Sequence, residues 1–176
     1  VLKILKPNCK IIELDHITEG AACTTLLAKE FINTSNPLII ANSDQYIKWD
    51  SINSMYNYNQ KKIDGSILTF EAIHPKWSYA KTDNNNFVSE VAEKKVISKN
   101  ATVGVYYWKK GSDYVNCAET MIKKNIRVNN EFYVCPVYNE AIGEGKKIVI
   151  DKVSEMHGLG TPDDLKNFIT KKNLVN

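Results

Sequence analysis

Two rhythms of apolar residues run along this chain, and most of its predicted elements follow from them. Short β-branched runs bounded by turn formers read as strands, and apolar residues three and four apart read as helices. Residues 10–14 (KIIEL) form the first such run, between Pro7-Asn8 and Asp15, and predict a strand. Residues 18–32 carry Ala22, Leu26, Leu27 and Phe31 at helical spacing and close in the polar cluster Asn33-Thr34-Ser35-Asn36-Pro37, which predicts a helix. Residues 37–41 (PLIIA) are apolar without alternation, the pattern of a central parallel strand covered on both faces. Strand, helix and strand of this length make a right-handed crossover.

The same reading predicts a helix over residues 51–60, strands over 65–70 and 76–82, and a hairpin turn at Asp83-Asn84-Asn85-Asn86. Further strands are expected over 87–93 and 102–109, then a helix over 112–124 beginning after Gly111. Residues 131–142 suggest another helix, which Pro136 must either kink or begin. A late strand over 147–153 precedes Thr161-Pro162-Asp163-Asp164, where a capping Thr, a Pro at the first helical position and acidic residues in the first turn open a last helix to about Lys172. Strands alternating with helices predict an α/β fold, and 176 residues suffice for one domain with one sizeable core.

Charge narrows the function classes. Lys and Arg number 23 against 20 for Asp and Glu, a net charge of +3 that is spread along the chain. So mild a balance argues against nucleic acid or a membrane surface as partner. The apolar runs fall far short of the roughly 20 residues that cross a bilayer, so a cytoplasmic location is expected. Cys9, Cys23, Cys117 and Cys135 stand far apart, without the spacing of a zinc site, and are expected to be free and mostly buried thiols. The chain opens on Val1 and runs within a few residues into a predicted strand, which suggests that the natural protein extends further upstream.

Three clusters are candidates for chemistry. Asn42-Ser43-Asp44 follows the expected buried strand directly, and ligands of open α/β sheets bind beyond the carboxyl ends of their strands. Asp44 is therefore a metal-ligand candidate, although the same three residues also suit an ordinary turn. Glu19, Gly20, Ala21 and Thr24 stand at the start of the first long helix, where free N–H groups and small side chains suit a bound nucleotide, or equally suit close packing on the sheet. Glu93 and Lys94 end a strand, where a carboxylate can accept from a substrate hydroxyl and a lysine can meet phosphate; exposed strand ends also carry such charges without function.

Taken together, these clusters resemble the nucleotidyltransferases that join a nucleoside triphosphate to a sugar phosphate or similar phosphorylated acceptor. Residues 18–26 (TEGAACTTL) look like that family's base and ribose segment, and residues 41–45 (ANSDQ) look like the segment ending in its metal-binding aspartate. Glu93-Lys94 is similar to its Glu-Lys pair, and Gly104-Val105-Tyr106 to its G-x-Y strand. Residues 130–133 (NEFY, with Glu131) and 160–165 (GTPDDL) match its C-terminal signatures. The family carries an acidic metal ligand two residues before the Gly-Thr-Pro, where this chain has Gly158, with Asp151 as a possible substitute. Its glycine-rich phosphate loop would lie upstream of Val1.

The resemblance implies a Rossmann-like, three-layer α/β/α sandwich of the nucleotide-diphospho-sugar transferase type, with a mixed, mainly parallel sheet. It further implies Mg²⁺ or Mn²⁺ as cofactor, catalysis by Asp44, Lys81 and Lys94, nucleotide contacts from Glu19, Gly20, Ala21, Thr24 and Asn42, and acceptor contacts from Glu93, Gly104 and Glu131. The partners implied are a nucleoside triphosphate and a phosphorylated small molecule, with homo-oligomers allowed. The ending at residues 156–165 (MHGLGTPDDL) looks like the branch that serves capsule and surface-polysaccharide synthesis, cytidylyltransferases included. Without the phosphate loop, the 176 residues alone are expected to be inactive. A metal-dependent glycosyltransferase of related fold and a non-catalytic nucleotide-binding domain are the competing readings.

Overall fold

The computed structural model describes residues 1–173. Its elements are α1 (Leu2–Leu5), α2 (Ala21–Leu26), α3 (Lys29–Ile32), β1 (Leu38–Ala41), β2 (Gln45–Lys48), α4 (Ser51–Gln60), β3 (Gly65–Glu71), β4 (Tyr79–Thr82), β5 (Val88–Ala92), β6 (Asn100–Trp108), α5 (Gly111–Lys123), α6 (Val137–Gly143), β7 (Ile148–Lys152), β8 (Glu155–Gly158) and α7 (Pro162–Asn173).

Six strands form the main sheet, in the order β5-β4-β6-β3-β7, with β1 also paired to β6. Among the described residues only the β3–β7 ladder is parallel; β1, β3 and β4 all pair antiparallel with β6, and β5 with β4. The expected parallel majority therefore holds for strand direction, since β1, β3, β4 and β7 point one way, and not for the ladders themselves. Strand β6 is the common member because it is the longest and mostly apolar, with Ala101 to Trp108 buried.

Helices α5 and α6 cover one face, where Ile67, Tyr106 and Trp108 of the sheet meet Tyr114, Ala118, Met121, Val137 and Tyr138. Tyr138 stacks on Trp108 at 4.3 Å and donates its hydroxyl to the carbonyls of Tyr107 (2.8 Å) and Ser66 (3.1 Å). On the other face α4 brings Tyr58 and Met55 against Tyr107, while the two-stranded β2–β8 ribbon brings Ile47 and Met156 against Leu68, Val103 and Val105. Three layers result, as the resemblance implies. Asn139 of α6 closes the free edge of β5, donating to the Val91 carbonyl and accepting from the Val91 amide, both at 2.9 Å, and so occupies an edge that would otherwise invite pairing.

Several elements depart from the sequence reading. Residues 10–14 form no strand, and Ile11, Ile12 and Leu14 stay more than 40% exposed, because no strand edge lies beside them. The helix expected over 18–32 breaks into α2 and α3. Thr24 and Thr25 turn their hydroxyls back onto the carbonyls of Gly20 (3.3 Å) and Ala22 (2.8 Å), which competes with helix propagation. Strand β1 is not doubly buried: Ile39 is 47% exposed. The helix expected over 131–142 begins only at Val137, with Pro136 as its cap, which resolves the choice in favour of a start. The β2–β8 ribbon was not foreseen. The predicted Thr161 cap holds, accepting from Asp164 N at 3.1 Å, and Asp50 caps α4 by accepting from Asn53 N at 3.1 Å. Cysteines are all free, Cys117 and Cys135 buried, Cys9 and Cys23 half-buried. No helix of the described residues is long and apolar enough to cross a membrane.

Candidate active site

The site originates in the way β6 is shared. Strand β3 occupies one edge of β6, while the opposite edge is divided between β4, paired at Ala101, and β1, paired from Val105 to Trp108. Between those two registers the edge of β6 opens. Strand β6 also buckles there, since two steps along β3 from Ile67 to Thr69 answer four along β6 from Tyr106 to Thr102. A bulge of this kind bends a strand and re-aims its side chains. Gly104 lies inside it with φ +73°, a left-handed conformation that glycine adopts without steric cost. The chain leaving β1 is tied to the bulge by a 2.9 Å bond from the Asn42 amide to the Gly104 carbonyl.

The opening is a cavity of about 320 Å³, walled by Asn42 and Gln45 on one side, Trp77, Ser78 and Glu93 on the other, Thr102 to Gly104 and Tyr106 from β6, and Tyr133 and Cys135 beyond. Glu93 is its chemical centre. Only 9% exposed, it accepts a short hydrogen bond at Oε2 from the Ser78 hydroxyl. Burial pushes its carboxyl above the usual range, partly offset by the Ser78 bond and the Lys94 charge, with Glu131 adding to the rise. The Lys94 ammonium does not pair with it. It donates to Tyr133 Oη at 2.7 Å and lies 4.9 Å from that ring centre, and the Tyr133 bond raises its pKa. Lys76 sits 4.7 Å over the Trp77 ring at the rim. The amide nitrogen of Gln45 is buried without a partner.

The structure thus gathers Ala21, Asn42, Glu93, Lys94 and Gly104 on one cavity, from segments far apart in sequence. Glu131 is exposed and close enough for its charge to act on both Glu93 and Lys94. Asp44 stands beside Gln45 but outside the wall, exposed, its carbonyl accepting from Leu159 N at 2.7 Å and its carboxylate facing Gly160. Lys81 is corrected: it is exposed on β4 opposite Glu90 and forms no part of the cavity wall.

The segment around Gly20 also reads differently. The Ala22 amide donates to the Phe132 carbonyl (2.9 Å) and the Phe132 amide to the Glu19 carbonyl (2.8 Å), so the start of α2 is partly satisfied within the protein. Gly20, at φ +131°, is needed because a Cβ there would stand 2.5 Å from Phe132 backbone atoms. Glu19 pairs with Arg127, and Thr24 bonds to Thr18 at 2.6 Å on the surface. Of this segment only Ala21 reaches the cavity. Sequence reasoning gave no role to Gln45, Tyr106 and Tyr133, although each stands in one of the resembling segments, and it missed Trp77, Ser78 and Cys135, which stand in none.

A metal would find one carboxylate. Among the described residues no three His, Cys, Asp or Glu side chains assemble. Asp151, the suggested substitute, is taken up on the other face of the sheet, where its Oδ2 accepts from Trp49 Nε1 (2.9 Å), Ser54 Oγ (2.5 Å) and Tyr58 Oη (2.6 Å). Position 158 faces Gln45 across the ribbon, and an added Cβ there meets nothing within 4 Å. A lone Asp44 fits Mg²⁺, which keeps several waters and is held through one or two carboxylates with substrate phosphates.

The architecture has known counterparts. A nucleoside-diphosphate-sugar pyrophosphorylase from Vibrio cholerae RC9 superposes with a TM-score of 0.72 at 23% identity, over 89% of this chain and 67% of that one. The fold is that of the nucleotide-sugar pyrophosphorylases. A Bacillus anthracis protein assigned as a glucose-1-phosphate thymidylyltransferase, in complex with sucrose, gives 0.69 at 16% identity, over 88% of this chain and 61% of that one. A UDP-glucose pyrophosphorylase complexed with UDP-glucose gives 0.70 at 13% identity, over 89% and 64%. This chain thus spans between 61% and 67% of the length of these neighbours. No protein-family model and no curated protein sequence matches it.

Proposed function

We propose that this chain carries the acceptor side of a nucleotidyltransferase, which joins a nucleoside triphosphate to a sugar phosphate or similar phosphorylated acceptor and releases pyrophosphate. The observation that carries the reading is the cavity at the divided edge of β6, with one buried carboxylate, Glu93, on its wall and Lys76 and Lys94 on the same wall, the Lys94 ammonium turned to Tyr133. A carboxylate in that setting is an acceptor for hydroxyls, and the lysines are suited to phosphate.

In the reaction a phosphate oxygen of the acceptor attacks the α-phosphorus in line, a P–O bond forms, and the bond to the β-phosphate bridging oxygen breaks as pyrophosphate departs. Glu93 orients the acceptor through its hydroxyls. Lys94 and Lys76 offset charge on the phosphates, Asn42 offers its amide to the nucleotide, and Trp77 supplies a flat apolar wall. Holding the two reactants together is the larger part of such catalysis. A divalent ion, with Asp44 as a ligand, would supply charge neutralisation on the triphosphate. The resemblance of residues 156–165 supports a place among surface-polysaccharide precursors, with a capsule-type acceptor.

The test is to incubate the full-length protein with each triphosphate and a panel of phosphorylated sugars and amino alcohols in Mg²⁺, following pyrophosphate. Release that depends on both substrates supports the proposal. Release of a nucleoside diphosphate from a nucleotide sugar instead identifies a glycosyltransferase, and binding without turnover in any combination identifies a nucleotide-binding domain.

A further inference from the structure

The Glu93 carboxylate is held by a residue that no motif marks. Ser78 lies just before β4 and is 8% exposed. Its carbonyl accepts from the Thr102 amide at 2.8 Å, which fixes it on β6 at the cavity floor, and its hydroxyl donates to Glu93 Oε2. Oε1 accepts no hydrogen bond from any described residue. Among the described residues no other donor reaches the carboxylate, and the neighbouring ammonium of Lys94 is turned to Tyr133.

We propose that Ser78 is the positioning residue of this cavity, its hydroxyl orienting the Glu93 carboxylate so that Oε1 is left facing a hydroxyl of the bound acceptor. The inference rests on the acceptor-site reading above. Titratable and polar groups enclose Glu93 from each neighbouring element: Lys94 next in the chain, Tyr106 and Thr102 on β6, Cys135 before α6, and Glu131 in the preceding loop. Burial has raised the thiol of Cys135 and the phenol of Tyr106, so both stay protonated and neutral. Ser78 is thus the one neutral donor that favours the ionised, hydrogen-bond-accepting form of Glu93. Its loss must push the Glu93 pKa further up, and an activity that needs the carboxylate must then fail at a higher pH as the solution is acidified.

The experiment is a carboxyl ¹³C titration of the full-length protein labelled at glutamate, with the Glu93 resonance assigned by its loss in Glu93→Gln. Ser78→Ala is expected to raise the Glu93 pKa by about one unit, a tenfold change in the protonation equilibrium. Ser78→Thr, which restores the hydroxyl, is expected to keep it near the wild-type value. The acid limb of kcat/KM for the acceptor should move upward with Ser78→Ala by the same amount, while KM for the triphosphate holds. A folded Ser78→Ala protein with an unchanged Glu93 pKa overturns the inference; Ser78→Gly is read in the same way if the alanine variant does not fold. Absence of transfer in the wild-type protein would overturn the proposed function, and the titration would still decide the role of Ser78.

Discussion

Gly104→Ala tests the construction of the cavity at the point where it opens. At φ +73° a residue with a Cβ costs about 1–2 kcal/mol in backbone strain. For a domain of this size that is a fall in Tm of about 2–8 °C. The new Cβ would also stand 2.8 Å from Cγ and 3.3 Å from Cβ of Asn42. The Asn42 backbone is pinned by its bond to the Gly104 carbonyl, so its side chain must swing out of the position it holds in the cavity wall. Losing one neutral hydrogen bond to the nucleotide is worth about 0.5–1.5 kcal/mol, or roughly a 2- to 13-fold loss in kcat/KM. Calorimetry measures the first effect and pyrophosphate release the second. An Asn42→Gly background separates them, because it removes the side chain that collides. There Gly104→Ala should still lower Tm but cost no further activity. Equal losses of activity in both backgrounds, or an alanine variant with wild-type Tm, would refute the reasoning.

Three further outcomes are expected. Gly20→Val should destabilise by about 3 kcal/mol, through strain at φ +131° and disruption of the two backbone bonds to Phe132, and a melting curve like the wild type's would show the Phe132 contact to be unimportant. Asp44→Ala should leave the fold intact and cut Mg²⁺-dependent turnover on the order of 10²-fold or more, and full activity in that variant would remove Asp44 from the site. Gly158→Asp should cost less than about 0.5 kcal/mol, since the position opens onto free space, and should tighten Mn²⁺ binding by about tenfold; paramagnetic titration showing unchanged affinity would place the metal away from the ribbon.

Elements with strong periodicity or firm caps were legible in the sequence. Helix α5, strands β3 and β6, the Asp83 turn and the Thr161-Pro162 start of α7 all lie within a residue or two of expectation. Local chemistry decides these, so a local reading suffices. Residues 10–14 form no strand, and residues 38–41 form β1 but antiparallel to β6 and covered on one face only, for a non-local reason: apolar composition reports a capacity for burial, and the neighbouring structure decides how much of it is used. The β2–β8 ribbon was hidden because each strand is only four residues long and gains its stability from the other. Asn42, Glu93, Lys94 and Gly104, singled out by their place at strand ends or in a resembling motif, come together on one cavity. Ser78 and Cys135 were not singled out, because an interior serine or cysteine looks the same in sequence whether it packs or supports a carboxylate. Lys81, named through the resemblance alone, is exposed on β4 and outside the cavity wall.

The bulge in β6 restricts how the cavity could change in size. Side chains alternate between faces along a strand, and the bulge leaves Thr102 and Tyr106 on the same side, with their hydroxyl oxygens 3.2 Å apart. An insertion of a single residue between them would exchange Tyr106 with Tyr107 and send Trp108 away from α5 and α6 into the layer of α4. A gain or loss of two residues keeps every flanking side chain on its present face and lengthens or shortens the opening by about 6–7 Å of strand. Small adjustments to ligand size must come from side chains on the walls, at Asn42, Gln45 and Trp77, and relatives built on this strand should fall into discrete classes of cavity length.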